Sequence, residues 1–311
     1  MLYFAAHRFV SLTSLALLAL AACNTVGPRA GYVTPTPAAD LAFVFTGDDS
    51  SAPPPDNIDP GVTPSDCTDG AKLVYVVDEN NLLSSFSPTQ IKFSDVGTLH
   101  CPAQPGATPF SMAIDRNAYA WVLYSSGELF EVDTRNAACK ATKYTPGQSN
   151  FQQFGMGFVS NSAMSSDETL FISSTGGILG GNNQLGTINM KTFAVTVIGT
   201  ETGSPELTGT GDAKLWGFFP DASMPRIAQI DKKSAKESSV FPLPSIAGSP
   251  SAWAFAHWGG DFWIFLKRDS DPSTAVHHFR TASKLLSTPL PDTGRTIVGA
   301  GVSTCAPTTI M

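Results

Sequence analysis

The chain has 311 residues, 42% of them hydrophobic and 14% charged, and a formal charge of −7. That is apolar content for one large core or two small ones. The absence of any basic run argues against nucleic acid, whose binding rests on clustered Lys and Arg neutralising phosphates. The 27 Gly and 23 Pro punctuate many short strands joined by turns.

Residues 1–22, MLYFAAHRFVSLTSLALLALAA, place Arg8 ahead of an apolar run from Phe9 to Ala22. The run is short of the about 20 residues a membrane span needs and has the layout of an export signal. It ends in Leu20-Ala21-Ala22-Cys23, which resembles the lipobox of bacterial lipoproteins. The resemblance implies that the Cys23 thiol is acylated with palmitate-like chains and that Cys23 becomes the mature N-terminus. More than one chain anchors stably, each buried CH₂ contributing about 0.8 kcal/mol. The plainer reading is an ordinary secretory signal that is cut near a cysteine. Asn24, not Asp, follows; by the same resemblance this favours the outer membrane, although the sorting rule differs between bacterial groups.

Residues 23–66 are rich in Pro, Ser, Gly and Asp, with little to bury except LAFVF at 41–45. Such a stretch cannot offset the entropy of ordering and reads as a flexible tether between the membrane and a folded domain at 67–307, followed by a short tail at 308–311.

Beyond residue 67 a strand-and-turn motif returns five times. Its last apolar residue is Phe86, Val132, Ile188, Ile230 and Phe279, and three residues earlier stand Leu83, Leu129, Leu185, Ile227 and Val276. Ahead of each copy lies a β-branched and aromatic run: 72–78, 119–125, 169–174, 214–220 and 261–267. Continuous short runs of this kind read as buried strands. Ahead of four of those come runs of small residues, at 111–115, 155–160, 207–211 and 252–258, and behind each motif comes a fourth run, at 96–101, 139–144, 194–199, 238–243 and 285–290. Four short strands in about 45–50 residues make one propeller blade. The first unit lacks its own inner strand, and TIVGAGVSTC at 296–305 has the missing Gly/Ala character. The expectation is an all-β fold, a five-bladed propeller of four-stranded blades closed by the C-terminal strand pairing with the first blade. Six blades is the alternative if the long third unit, with GGILGGNN at 176–183, hides an extra pair. The strand pattern resembles propellers of the NHL and gluconolactonase-like sort, with no shared catalytic signature.

Five cysteines leave four once Cys23 is set aside. Cys305 ends the closing strand and Cys67 precedes the strand beside it, so these two would staple the ring; Cys101 and Cys139 then pair by elimination, on neighbouring outer strands.

Propellers bind ligands at the mouth of the central channel. The last unit offers Trp253, His257, Trp258 and Asp261, with rings suited to stacking on a sugar or another flat ligand; the bland alternative is that the tryptophans pack between blades and the histidine is structural. Asp115, Glu206 and Asp212 are the carboxylates near inner strands. Paired carboxylates would suit glycoside hydrolysis, but no glycosidase motif is present, and Asp115-Arg116-Asn117 reads as a turn. No residues are singled out as catalytic or metal-ligating, and no cofactor motif is found. Two functions are carried forward: a membrane-tethered binding or scaffold module for a protein, peptide or glycan, and a hydrolase or lyase acting on a sugar or lactone. A bare channel favours the first; a carboxylate cluster with His257 favours the second.

Overall fold

The structure, a computed structural model, describes residues 67–163, 165–175 and 183–309. The expected export signal, Cys23 and the tether lie outside the described residues, as does nearly all of 176–183. Among the described residues, twenty strands form five antiparallel sheets of four. The first contains β1 (Val74–Asp78), β2 (Leu82–Ser87) and β3 (Lys92–Thr98); the second β4 (Pro109–Ile114), β5 (Tyr119–Tyr124), β6 (Leu129–Asp133) and β7 (Ala138–Ala141). The third contains β8 (Phe154–Ser160), β9 (Glu168–Ser174), β10 (Gln184–Ile188) and β11 (Val195–Thr200). The fourth contains β12 (Glu206–Gly209), β13 (Leu215–Phe219), β14 (Arg226–Ile230) and β15 (Glu237–Pro242). The fifth contains β16 (Pro250–Trp258), β17 (Asp261–Arg268), β18 (Ala275–Arg280) and β19 (Leu285–Leu290). The last strand, β20 (Ile297–Gly301), pairs antiparallel with β1, Val76 opposite Ala300, and completes the first sheet. The molecule is therefore a five-bladed propeller closed by its C-terminal strand, and the six-bladed alternative does not hold.

The middle of each second strand is mostly apolar because a blade is covered on both faces. In β1, Val74 and Val76 enter the core against the fifth blade, while Tyr75 and Val77 enter the core against the second. In β17, Trp263 and Phe265 face the first blade, and Phe262, Ile264 and Leu266 face the fourth. The period-two alternation of a strand thus feeds two separate cores, and five such cores fill the gaps between the five blades. The outermost strands β3, β7, β11, β15 and β19 have no buried residue.

Inner strands contact one another around the axis, backbone to backbone. A Cβ added at Gly157 would stand 3.1 Å from Leu207 C and from Thr208 Cα, and one at Gly209 would run into the carbonyl oxygen of Phe158. The small residues of these strands are a packing requirement.

The turn between the third and fourth strands is the same in all five blades. Ile91, Ala137, Phe193, Ala235 and Lys284, each five positions after the motif's apolar anchor, adopt positive φ between 52° and 60°. Asp133, Asn189 and Asp231 accept backbone N–H bonds in three of these turns. One strand lies away from its expected place. The fourth strand of the first blade is 92–98, not 96–101, because the turn at Ile91 returns the chain at once and pairs Lys92 with Ser87.

Both disulfides have the expected pairing. Cys67–Cys305 joins the two ends of the ring with a Cα–Cα distance of 5.8 Å, and Cys101–Cys139 joins the first two blades at 5.1 Å. Cys101 lies beyond the end of β3, not within an outer strand.

Candidate ligand-binding site at the open end of the ring

The two ends of the channel differ. After β20 the chain crosses one end, and residues 302–307 are buried there. Ser303 Oγ donates to Ala71 O at 2.7 Å. Thr304 Oγ1 accepts from Arg116 Nη1 at 3.0 Å and donates to Glu168 Oε2 at 2.8 Å. Gly211 brings its backbone against Thr304 O, where an added Cβ would lie 2.6 Å away, and Gly259 N–H donates to Pro307 O at 2.7 Å. The segment therefore touches every blade, and the Cys67–Cys305 disulfide fastens it. Beneath it Glu168 is buried enough to raise its carboxyl pKa to about 7, against the lowering effect of hydrogen bonds from Arg116 N–H and the Thr304 hydroxyl.

The other end holds a cavity of about 270 Å³. All five inner strands contribute near their starts: Phe110 of β4, Gly155 of β8, Glu206 of β12, Trp253 of β16 and Val298 of β20. Hydroxyls of Thr108, Ser125, Thr175 and Ser251 and the carboxylate of Glu79 also line it. Glu206 is 3% exposed. Its Oε1 accepts from Ser111 Oγ at 2.5 Å and from Met156 N–H at 3.4 Å. Burial holds this carboxyl well above the usual range, and the two hydrogen bonds only partly oppose the effect. Groups from three inner strands thus meet at Glu206, two through side chains and one through a backbone N–H.

Of the four candidate ligand residues, only Trp253 lines this cavity. β16 is nine residues long, so Trp258 lies five residues further on, about 17 Å at a strand's rise. Trp258 donates its Nε1–H to Lys72 O at 2.9 Å and packs in the core between the fifth and first blades. His257, at the same far end of β16, lines a separate cavity of about 240 Å³ with Asp212, Lys214 and Trp216. Its ring meets Phe262 edge-on at 5.4 Å, and burial pushes its pKa down to about 4 against the attraction of Asp212 and Asp261. Asp115 closes the β4–β5 turn: Oδ1 accepts from Asn117 and Tyr119 N–H, each at 2.9 Å, and Oδ2 accepts from Trp121 Nε1–H at 3.0 Å. Burial raises its pKa despite these three donors. Trp253, His257, Trp258 and Asp115 are thus not brought together, and Asp115 holds the turn expected of it. Glu206 was visible in the sequence as one of three carboxylates near inner strands; only the pairing of Glu206 with Phe218 makes it the first residue of its strand and sets it at the cavity.

Among the described residues, no group of three or more His, Cys, Asp or Glu side chains is placed to hold a metal ion. No protein-family model matches the chain, and no curated protein matches it. Among solved structures, the crystal structure of TolB from Acinetobacter baumannii is similar, with a TM-score of 0.43 and 11% identity over 72% of this chain and 54% of that one. The chain spans about half the length of that protein, and the ring is established by its own strand pairing rather than by the likeness.

Proposed function

We propose that the protein is an exported binding or scaffold module, lipid-anchored through Cys23 in the cell envelope at the outer membrane, that receives a protein, peptide or glycan at the open end of its ring. The one-ended cavity carries this reading. Five rigid blades supply its walls, the C-terminal segment closes the far end, and an aromatic ring and several hydroxyls face a ligand. Concave, partly apolar sites with a few placed polar groups are the usual form of a binding pocket. Two disulfides are bonds that persist outside the reducing cytoplasm, in keeping with export. The fold assigns no chemistry by itself.

One observation favours the hydrolase or lyase reading: burial raises the pKa of the Glu206 carboxyl at the cavity, the direction a general acid needs. Glycoside hydrolysis requires a second carboxyl at a set distance. The other carboxylate lining the cavity among the described residues is Glu79, which is exposed.

Binding is tested by titrating peptide and glycan panels against the wild-type chain and Trp253→Ala. A ligand that binds the wild type and weakens in the variant supports the site; binding untouched by the variant moves the site elsewhere. The anchor is tested in a bacterial host. Cys23→Ser should release the protein from the membrane fraction, and the wild-type N-terminal peptide should carry the mass of the acyl groups. A wild-type N-terminus without lipid sinks the anchor.

A further inference from the structure

We propose that the open cavity receives a primary ammonium group, with Glu206 as its counter-ion and Trp253 and Phe110 as its aromatic walls. The inference rests on reading this cavity as the ligand site, and it names what that ligand carries. Two acids, Glu206 and Glu79, line the cavity, and no Lys, Arg or His does so among the described residues. Glu206 makes no ion pair there; its partners are one hydroxyl and one backbone N–H, both on Oε1. A carboxyl taken out of water without a cation is costly in its charged form. The cavity supplies no cation that would hold Glu206 ionised, and a ligand that brings an ammonium supplies one. Phe110 and Trp253 add ring faces that attract the same cation.

The strands around Glu206 leave it free of competing charges. β4, β8 and β13 carry no titratable residue, while β16 and β9 carry only His257 and Glu168, both at the opposite end. Glu201, on the segment leading into β12, is engaged by the Ser173 hydroxyl at 2.5 Å and does not line the cavity. In the empty cavity burial favours the protonated form of Glu206. An arriving ammonium favours the carboxylate, so the carboxyl proton passes to solvent as the ion pair forms, and the bound pair is neutral.

The experiment is calorimetric titration of the full chain with three probes: pentane-1,5-diamine, Nα-acetyl-lysine amide and Nα,Nε-diacetyl-lysine amide. The two ammonium probes should bind at least about tenfold more tightly than the diacetyl probe, which keeps the stem and loses the charge. Binding should release protons, measured in buffers of different ionisation heat, and tighten as pH rises across the range where the free chain still holds the Glu206 proton. Glu206→Gln should remove both the preference and the pH slope. Tighter binding of the lysine amide identifies a peptide-borne ammonium, and tighter binding of the diamine a free amine; both support the inference. Equal binding of the diacetyl probe, or no proton release, overturns it, and the wild-type pH slope decides the matter if Glu206→Gln does not fold. Neutral glycans or peptides that bind through Trp253 while both amines do not would overturn the ammonium and leave the binding module standing. Failure of every class to bind overturns both.

Discussion

Glu201→Gln should stabilise the folded chain at neutral pH and do nothing of the kind in acid. Glu201 is 6% exposed, its Oε2 accepts from Ser173 Oγ at 2.5 Å, and its Oε1 is buried with no hydrogen-bond partner. Burial raises its pKa from 4.5 to about 8, with the Ser173 bond opposing and the charge of Glu237 adding to the rise. The folded chain thus holds this proton where the unfolded chain has released it. Stability attached to the group is complete below pH 4.5, falls as pH rises through the window from 4.5 to about 8, and is lost above it. The loss is about 1.4 kcal/mol per pH unit, so roughly 3 kcal/mol has gone by neutrality. Gln does not ionise and escapes this loss; any change in its hydrogen bonding shifts all pH values alike. The assay is urea unfolding of both chains at several pH values from 5 to 8, with disulfides intact. Glu168 and Glu206 also have raised pKa values, but their slopes are common to both chains and cancel in the difference. A stability difference that stays flat with pH would refute the reasoning.

His257 and His277, both pushed to about 4 by burial, should stay neutral at pH 6 when their ring resonances are followed by NMR. Because the unfolded chain takes up these protons from pH 6.5 downward, stability attached to the pair should fall between 6.5 and about 4. The Cys67–Cys305 disulfide closes 238 residues and Cys101–Cys139 closes 38; on the chain-entropy relation, double Ser variants should lose about 5 and about 4 kcal/mol respectively in denaturant unfolding. Gly209→Ala should cost about 3 kcal/mol or more, since the new Cβ meets the Phe158 carbonyl oxygen and lies 2.6 Å from Val159 Cγ2. A variant that melts with the wild type would show that the inner strands are not in contact there.

The repeat, the blade count and the closing strand were legible in the chain because each follows from local burial. A second strand wedged between two blades turns apolar side chains to both faces, as residues 74–77 do. An inner strand that meets its neighbour's backbone must be small, as Gly157 and Gly209 are. Both conditions write themselves into a few consecutive residues, and the ring geometry then brings Cys67 to Cys305. The candidate site was not legible in this way. Trp253 and His257 sit four positions apart, yet serve opposite ends of the channel, because a strand carries residues along the axis as quickly as the sequence advances. Glu206 finds its hydroxyl on Ser111, 95 residues away, and Thr304 finds Arg116 across 188. Which end is closed and which acid lines the cavity are set by groups that only ring closure brings together, and no local pattern encodes them.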